Sequence, residues 1–237
     1  MTPPPLPPKA ILFDLDDTLW PIGPVIAEAE CLLFDWLAVH APGVARRHSI
    51  DSLRRERLAL LEREPHFHID LGALRRAGLQ AAFAEAGEDP AKVDAAMLLF
   101  HRARNAVTPY ADVLPALARL QDRFLVGSVT NGVADLEVIG LARHFKVSLA
   151  AASFGRAKPD PAIFLAACEA LGVLPREAVY VGDDLQLDVA GAQQAGMRAV
   201  WLNRKGASSH LGSGVHPDAI CASLDELLEW LERQLKQ

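Results

Sequence analysis

Ala10-Ile11-Leu12-Phe13-Asp14-Leu15-Asp16-Asp17-Thr18 is the stretch on which the fold turns. Apolar residues in succession, ending abruptly in carboxylates, read as a short buried strand that presents charge at its carboxyl end. The two-residue period of a strand puts Asp14 and Asp16 on one side and Leu15 on the other. Similar apolar runs recur at 124–129, 147–152, 178–181 and 199–202. Helical periodicity separates most of them, at 112–120, 134–143, 161–171 and 185–195, and a last helix is expected over 224–235. Strands alternating with helices of this length predict an α/β fold, with a parallel sheet covered on both faces.

One segment breaks the rhythm. From 23 to 107 the chain shows helical spacing and few credible strands, with candidate helices at 25–39, 51–63, 70–86 and 90–106. These predict an inserted domain of four helices packed as a bundle. The expected organisation is therefore a core of 10–22 and 108–237, interrupted by a helical domain over 23–107. The Pro-rich residues 1–9 are read as a disordered tail.

Composition narrows the function. A hydrophobic share of 51% over 237 residues supports one large core or two moderate ones. The formal charge of -6 argues against a nucleic-acid partner, which calls for a basic patch or stripe. Cys31, Cys168 and Cys221 are widely spaced and lack metal-ligand spacing, so reduced buried thiols are expected. No apolar run approaches the roughly 20 residues that span a bilayer, and the first residues lack both the basic start and the apolar stretch of a signal peptide. The expectation is a cytoplasmic protein with no membrane partner.

Chemistry gathers where the strands end, as in open parallel sheets, whose ligands lie outside the carboxyl ends of the strands. Asp14 and Asp16 facing one site divide naturally into a nucleophile and a group that exchanges protons. Together they also attract a hard divalent cation, magnesium being usual with phosphates. Alone, the cluster would equally suit a turn cap. The second strand runs into Thr130-Asn131-Gly132, whose hydroxyl, amide and backbone N–H groups suit phosphate oxygens. Val179-Tyr180-Val181-Gly182 leads into Asp183-Asp184 and Asp188, where Asp183 is placed to complete a metal site and one of the neighbouring pair suits an N-cap. Lys158, just before Pro159, would neutralise charge developing in phosphoryl transfer.

Taken in order, Asp14-x-Asp16-x-Thr18, Thr130, Lys158-Pro159 and Gly182-Asp183-Asp184 with Asp188 resemble the four motifs of the haloacid dehalogenase superfamily. The insertion after the first motif resembles that superfamily's C1-type cap. The resemblance implies a Rossmann-like core and a magnesium ion held by Asp14, the backbone carbonyl of Asp16 and Asp183. It also implies an aspartyl-phosphate on Asp14, with Asp16 as general acid and base. Thr130 and Lys158 would bind the phosphoryl group, and Asp184 and Asp188 would support the metal or Lys158 from behind. Dehalogenases of the superfamily usually lack the second aspartate, because a halide leaves without a proton, so Asp16 favours phosphoryl transfer. The implied activity is a phosphatase acting on a small phosphorylated metabolite, similar to those for flavin mononucleotide and ribityl phosphates.

A sugar-phosphate mutase keeps both aspartates and is the alternative enzyme. A signalling receiver domain also holds phosphate with aspartates, Thr and Lys, but in another motif order and without a helical insertion. A non-catalytic phosphate-binding protein is the remaining alternative, set against by the intact charged residues. Substrate choice falls to the inserted domain, where His68 and Arg75 are the candidate substrate contacts. The sequence does not fix the oligomeric state.

Overall fold

The computed structural model describes residues 6–206 and 214–236. The chain divides into two compact units. The first comprises the residues up to Pro21, Thr108–Gly132 and Gly140 onward; the second comprises Ile22–Val107 and Val133–Ile139.

The first unit is built on a six-stranded parallel sheet. Its strands are β1 (Ala10–Phe13), β2 (Leu125–Thr130), β3 (Val147–Ala150), β4 (Ala178–Gly182), β5 (Arg198–Leu202) and β6 (Ala219–Cys221), in the order β3-β2-β1-β4-β5-β6. The fold is α/β and Rossmann-like, as expected. β1 lies centrally, with Phe13 level with Ser128 of β2 and Val181 of β4. The strand order reverses between β1 and β4, so the crevice for a ligand opens at the carboxyl end of β1. β1 is fully buried, which explains its unbroken apolar run.

The second unit contains α1 (Ile22–His40), α2 (Pro42–Arg47), α3 (Ile50–Arg63), α4 (Leu71–Ala86) and α5 (Val93–Arg104), and it ends with α7 (Leu136–Ile139). The four long helices fall where periodicity placed them. The bundle gains α2 at Pro42-Gly43, where Pro fits a first helical turn. Its core packs Ala29, Leu33 and Leu37 against Leu79, Phe83, Ala96 and Phe100.

The remaining helices belong to the first unit: α6 (Val113–Gln121), α8 (Ala151–Phe154), α9 (Pro161–Leu171), α10 (Gly191–Gln194) and α11 (Leu224–Gln234). Ile163, Phe164, Ala167 and Cys168 of α9 pack with Leu12, Tyr180 and Trp201 of the sheet. Phe164 meets the Tyr180 ring edge-on at 4.9 Å.

Four sequence expectations need correction. The helix expected over 134–143 is cut to α7, because Gly140 turns left-handed at φ 82. The strand expected to 152 stops at Ala150, giving way to α8 and a left-handed Gly155. The helix expected over 185–195 begins as a π-helical turn, Leu185–Ala190, before α10. Residues 1–5 of the expected tail lie outside the described residues, but Leu6 to Lys9 are fastened to the core. Arg198 donates to the Leu6 carbonyl at 2.8 Å, and the Lys9 amide donates to the Glu177 carbonyl at 2.7 Å.

Candidate active site

Strand β1 delivers Asp14 almost completely buried, and its amide still donates to the Val181 carbonyl at 2.9 Å. The chain then turns through Asp17, whose positive φ of 61° lies in a region that aspartate tolerates better than most residues. That turn returns Thr18 toward the carboxylates. Its Oγ1 lies 3.3 Å from both Asp14 Oδ2 and Asp183 Oδ1.

The same turn sets Asp16. The indole Nε1 of fully buried Trp20 donates to Asp16 Oδ1 at 2.8 Å. The other carboxylate oxygen lies against Gly132, where a Cβ would stand 2.5 Å from Asp16 Oδ2. Glycine at 132 is thus required by close approach, a role beyond the flexible phosphate loop read from the sequence.

Lys158 is the hub. Its Nζ donates to Asp14 Oδ1 at 2.5 Å, Asp188 Oδ1 at 2.6 Å and the Tyr180 hydroxyl at 3.0 Å. Tyr180 in turn donates to the Val129 carbonyl at 2.7 Å. Asn131 grips the backbone of Lys158 at two points, accepting from its amide at 2.8 Å and donating to its carbonyl at 3.0 Å. The Asn131 amide, expected on substrate, uses its oxygen and one of its two N–H donors in holding Lys158. Thr130 is buried, and its hydroxyl accepts from the Gly132 amide at 2.9 Å.

Strand β4 ends in Gly182, where a Cβ would fall 2.2 Å from Asp188 Oδ2; only glycine lets that carboxylate lie against the strand. Asp188 Oδ2 also accepts from the Asp184 amide at 3.0 Å. The Asp184 side chain, expected to support the metal, instead caps the π-helical turn, accepting from the amides of Gln186 and Leu187 at 2.8 Å each. Asp184 therefore supports Asp188 through its backbone alone.

Carboxylate oxygens of Asp14, Asp183 and Asp188 lie within 4.8 Å of one another. Burial pushes Asp14 up to about 8, opposed by Lys158 and reinforced by Asp188 and Asp183. Burial, with Asp188 and Asp17 nearby, pushes Asp183 up to about 6. Lys158 is held charged, its burial outweighed by Asp14 and Asp188. When fully ionised, the three carboxylates against one ammonium carry two surplus negative charges. Hard oxygen donors with that charge surplus fit a divalent cation such as magnesium.

Two residues of this machinery escaped the sequence. Tyr180 was hidden inside an apolar strand run, and only burial reveals that its hydroxyl serves Lys158. Arg204 follows β5 and donates through Nε to the Thr18 carbonyl at 2.8 Å and through Nη1 to Asp112 at 3.0 Å. It ties the first-motif turn to the start of α6. Arg75 and His68 belong to the second unit. Arg75 faces Glu30 and stacks over Phe100 at 3.5 Å, whereas His68 is exposed at the end of the 3₁₀ turn Pro65–His68.

Residues 8–196 match the family described as haloacid dehalogenase-like hydrolase. The chain belongs to the haloacid dehalogenase-like hydrolases. This hydrolase is 34% identical over 198 residues to the 5-amino-6-(5-phospho-D-ribitylamino)uracil phosphatase YigB of Escherichia coli, covering 82% of this chain and 83% of that one. It is 37% identical over 207 residues to a glyceraldehyde 3-phosphate phosphatase of Methanopyrus kandleri, covering 83% and 84%. Among solved structures, a protein titled 2-haloacid dehalogenase from Pseudomonas syringae superposes with a TM-score of 0.88 at 40% identity, covering 95% of this chain and 99% of that one. Among the described residues, no helix of the hydrolase is long and apolar enough to cross a membrane.

Proposed function

We propose that this enzyme, a haloacid dehalogenase-like phosphatase, hydrolyses the phosphate monoester of a small metabolite through an aspartyl-phosphate on Asp14. The observation that carries the reading is Asp16 held by the Trp20 indole in the same turn that presents Asp14. A halide departs without a proton, whereas an alkoxide needs one, and Asp16 is the group positioned to give it.

Asp14, with Asp183 and the carbonyl of Asp16, would hold magnesium, and Asp188 would stand behind them through Lys158. Bound there, the ion supplies charge neutralisation for the phosphoryl oxygens. Lys158 opposes the burial that raises Asp14 and orients its Oδ1. The free lone pairs of the Asp14 carboxylate then attack phosphorus while Asp16 protonates the leaving oxygen. In the second half, Asp16 takes a proton from water as that water attacks phosphorus, and the P–O bond to Asp14 breaks to free phosphate and the Asp14 carboxylate. Thr130, the backbone around Gly132 and Lys158 receive the phosphoryl oxygens, and Asn131 acts through Lys158, whose loop it holds. The helical unit acts as the cap and selects substrate, with His68 and Arg75 as its candidate contacts; a cytoplasmic setting belongs to the same proposal.

A dehalogenase reading is favoured by the likeness to the Pseudomonas syringae structure. Parallel assays separate the two: phosphate release from p-nitrophenyl phosphate, glyceraldehyde 3-phosphate and a ribityl phosphate, against halide release from 2-chloropropionate. Magnesium-dependent phosphate release with no halide release supports the proposal. Halide release without phosphate release overturns it, and isomerisation of a hexose phosphate faster than its hydrolysis would replace it with a mutase.

A further inference from the structure

Arg204 and its partner Asp112 hold charge where burial disfavours it, their side chains 11% and 12% exposed. Among the described residues, Arg204 Nη2 and Asp112 Oδ1 are buried with no hydrogen-bond partner. Buried polar atoms are nearly always partnered, and a buried ion pair with atoms left over contributes little to stability. The pair therefore calls for another explanation, and its contacts supply one.

All of these contacts lie within the first unit. Arg204 Nε donates to the Thr18 carbonyl, 186 residues away, at 2.8 Å. Elsewhere the first-motif turn holds itself, the Asp17 amide donating to the Trp20 carbonyl and the Leu19 amide to the Leu15 carbonyl at 2.8 Å each. Thr18, between them, is held from outside. The guanidinium that holds it is itself fixed on two sides. Nη1 donates to Asp112 Oδ2 at 3.0 Å, and the guanidinium carbon lies 4.2 Å from the centroid of the Tyr110 ring, a cation–π contact that sets its plane. Asp112 precedes α6 but its carboxylate does not cap that helix; Oδ2 instead accepts the Leu224 amide at the start of α11 at 2.7 Å. The Tyr110 amide donates to the Leu19 carbonyl at 3.0 Å, so the ring is tied to the same turn.

What this frame positions is the Thr18 hydroxyl. Thr18 is fully buried, and its Oγ1 stands 3.3 Å from both Asp14 Oδ2 and Asp183 Oδ1. Both distances are long for a hydroxyl donor, which has one proton to give. A small shift of the Thr18 backbone therefore favours one carboxylate and releases the other.

We propose that Arg204 is a positioning residue of the metal site. Through the Thr18 carbonyl it places the Thr18 hydroxyl between Asp14 and Asp183, and so sets the spacing at which these carboxylates take a divalent cation. The inference rests on the reading of Asp14 and Asp183 as magnesium ligands. Asp112 and Tyr110 act one step further back, by fixing the guanidinium.

The test is calorimetric titration of the full chain with magnesium chloride, read beside urea unfolding. Arg204→Met keeps an apolar stem and removes the donors, and should bind magnesium about tenfold more weakly than wild type, the weight of one hydrogen bond from a charged donor. Arg204→Lys keeps a cation able to serve the Thr18 carbonyl and should recover most of that loss. Arg204→Met leaves the Asp112 carboxylate unpaired, which can itself unfold the chain. The double variant with Asp112→Asn removes both charges, keeps an acceptor for the Leu224 amide and should show the same weakening. Leu231→Ala, in the buried face of α11, lowers stability away from the turn and should keep wild-type affinity. Wild-type affinity in the folded double variant, or equal weakening in Leu231→Ala, would overturn this inference alone. A wild-type chain that binds no magnesium would overturn the metal site along with it.

Discussion

Replacing Trp20 by Phe removes one hydrogen bond and keeps a ring in place. The indole Nε1 donates to Asp16 Oδ1 at 2.8 Å from a side chain with no solvent exposure. A hydrogen bond to a charged acceptor contributes about 1.5–3 kcal/mol. If that energy orients Asp16 for proton transfer, its loss lowers the first chemical step roughly 10- to 150-fold. The effect should depend on the leaving group. An alkyl phosphate such as glycerol phosphate needs the proton from Asp16, whereas p-nitrophenolate leaves without one. The assay is kcat/KM for both substrates, which reports formation of the aspartyl-phosphate, with thermal melting as a control for the smaller ring. Trp20→Phe should fall roughly 10- to 150-fold on the alkyl ester, within the range set by that bond, and much less on the aryl ester. Equal losses on both would show that Trp20 serves packing alone, and no loss on either would show that Asp16 needs no such anchor.

Tyr180→Phe removes the hydroxyl that donates to the Val129 carbonyl and one of the three acceptors of the Lys158 ammonium, so urea unfolding should show a loss of about 1–3 kcal/mol. Gly182→Ala forces a Cβ onto the Asp188 carboxylate, so phosphatase assays should show activity falling well beyond any fall in melting temperature. Glu30→Gln strips the counter-charge from Arg57 and Arg75 and should destabilise the fold by about 3 kcal/mol, discounted for the exposed Arg54. Burial alone would raise the Glu30 pKa, but hydrogen bonds from Arg54 and Arg57 bring it below the ordinary 4.5. Its contribution is therefore present above that pH and lost as pH falls through the lower folded value, so the gap in urea midpoint between wild type and Glu30→Gln should close as pH is lowered below 4.5.

Much of this was legible in the sequence because the relevant signals are local. Ile11 to Thr18 fixes strand, turn and two carboxylates by a period of two, and the apolar runs at 124–129, 178–181 and 199–202 fix the neighbours of β1. Glycine at 182 and proline at 159 mark chain geometry in their own neighbourhoods. What stayed hidden acts across distance. The role of Tyr180 depends on Lys158 and Val129 meeting in space, and Glu30 is joined to arginines up to 45 residues away. The sequence left open which of Asp183 and Asp184 caps, and the π-helical turn that gives the role to Asp184 is one that period-3.6 counting does not register. Asn131 was read by its chemistry as a phosphate contact, and its hold on the backbone of Lys158 shows only in three dimensions. β6 has only three residues, too few for a periodic signal.

The central claim is that the Asp14 carboxylate is the nucleophile. Acid quenching during turnover of p-nitrophenyl phosphate with magnesium, followed by borohydride reduction and peptide mass mapping, tests it directly. An acyl-phosphate on Asp14 would be reduced to homoserine at position 14 and at no other carboxylate, in a substrate-dependent manner, and Asp14→Asn would release no phosphate. Homoserine at another position, or undiminished turnover by Asp14→Asn, would contradict the account.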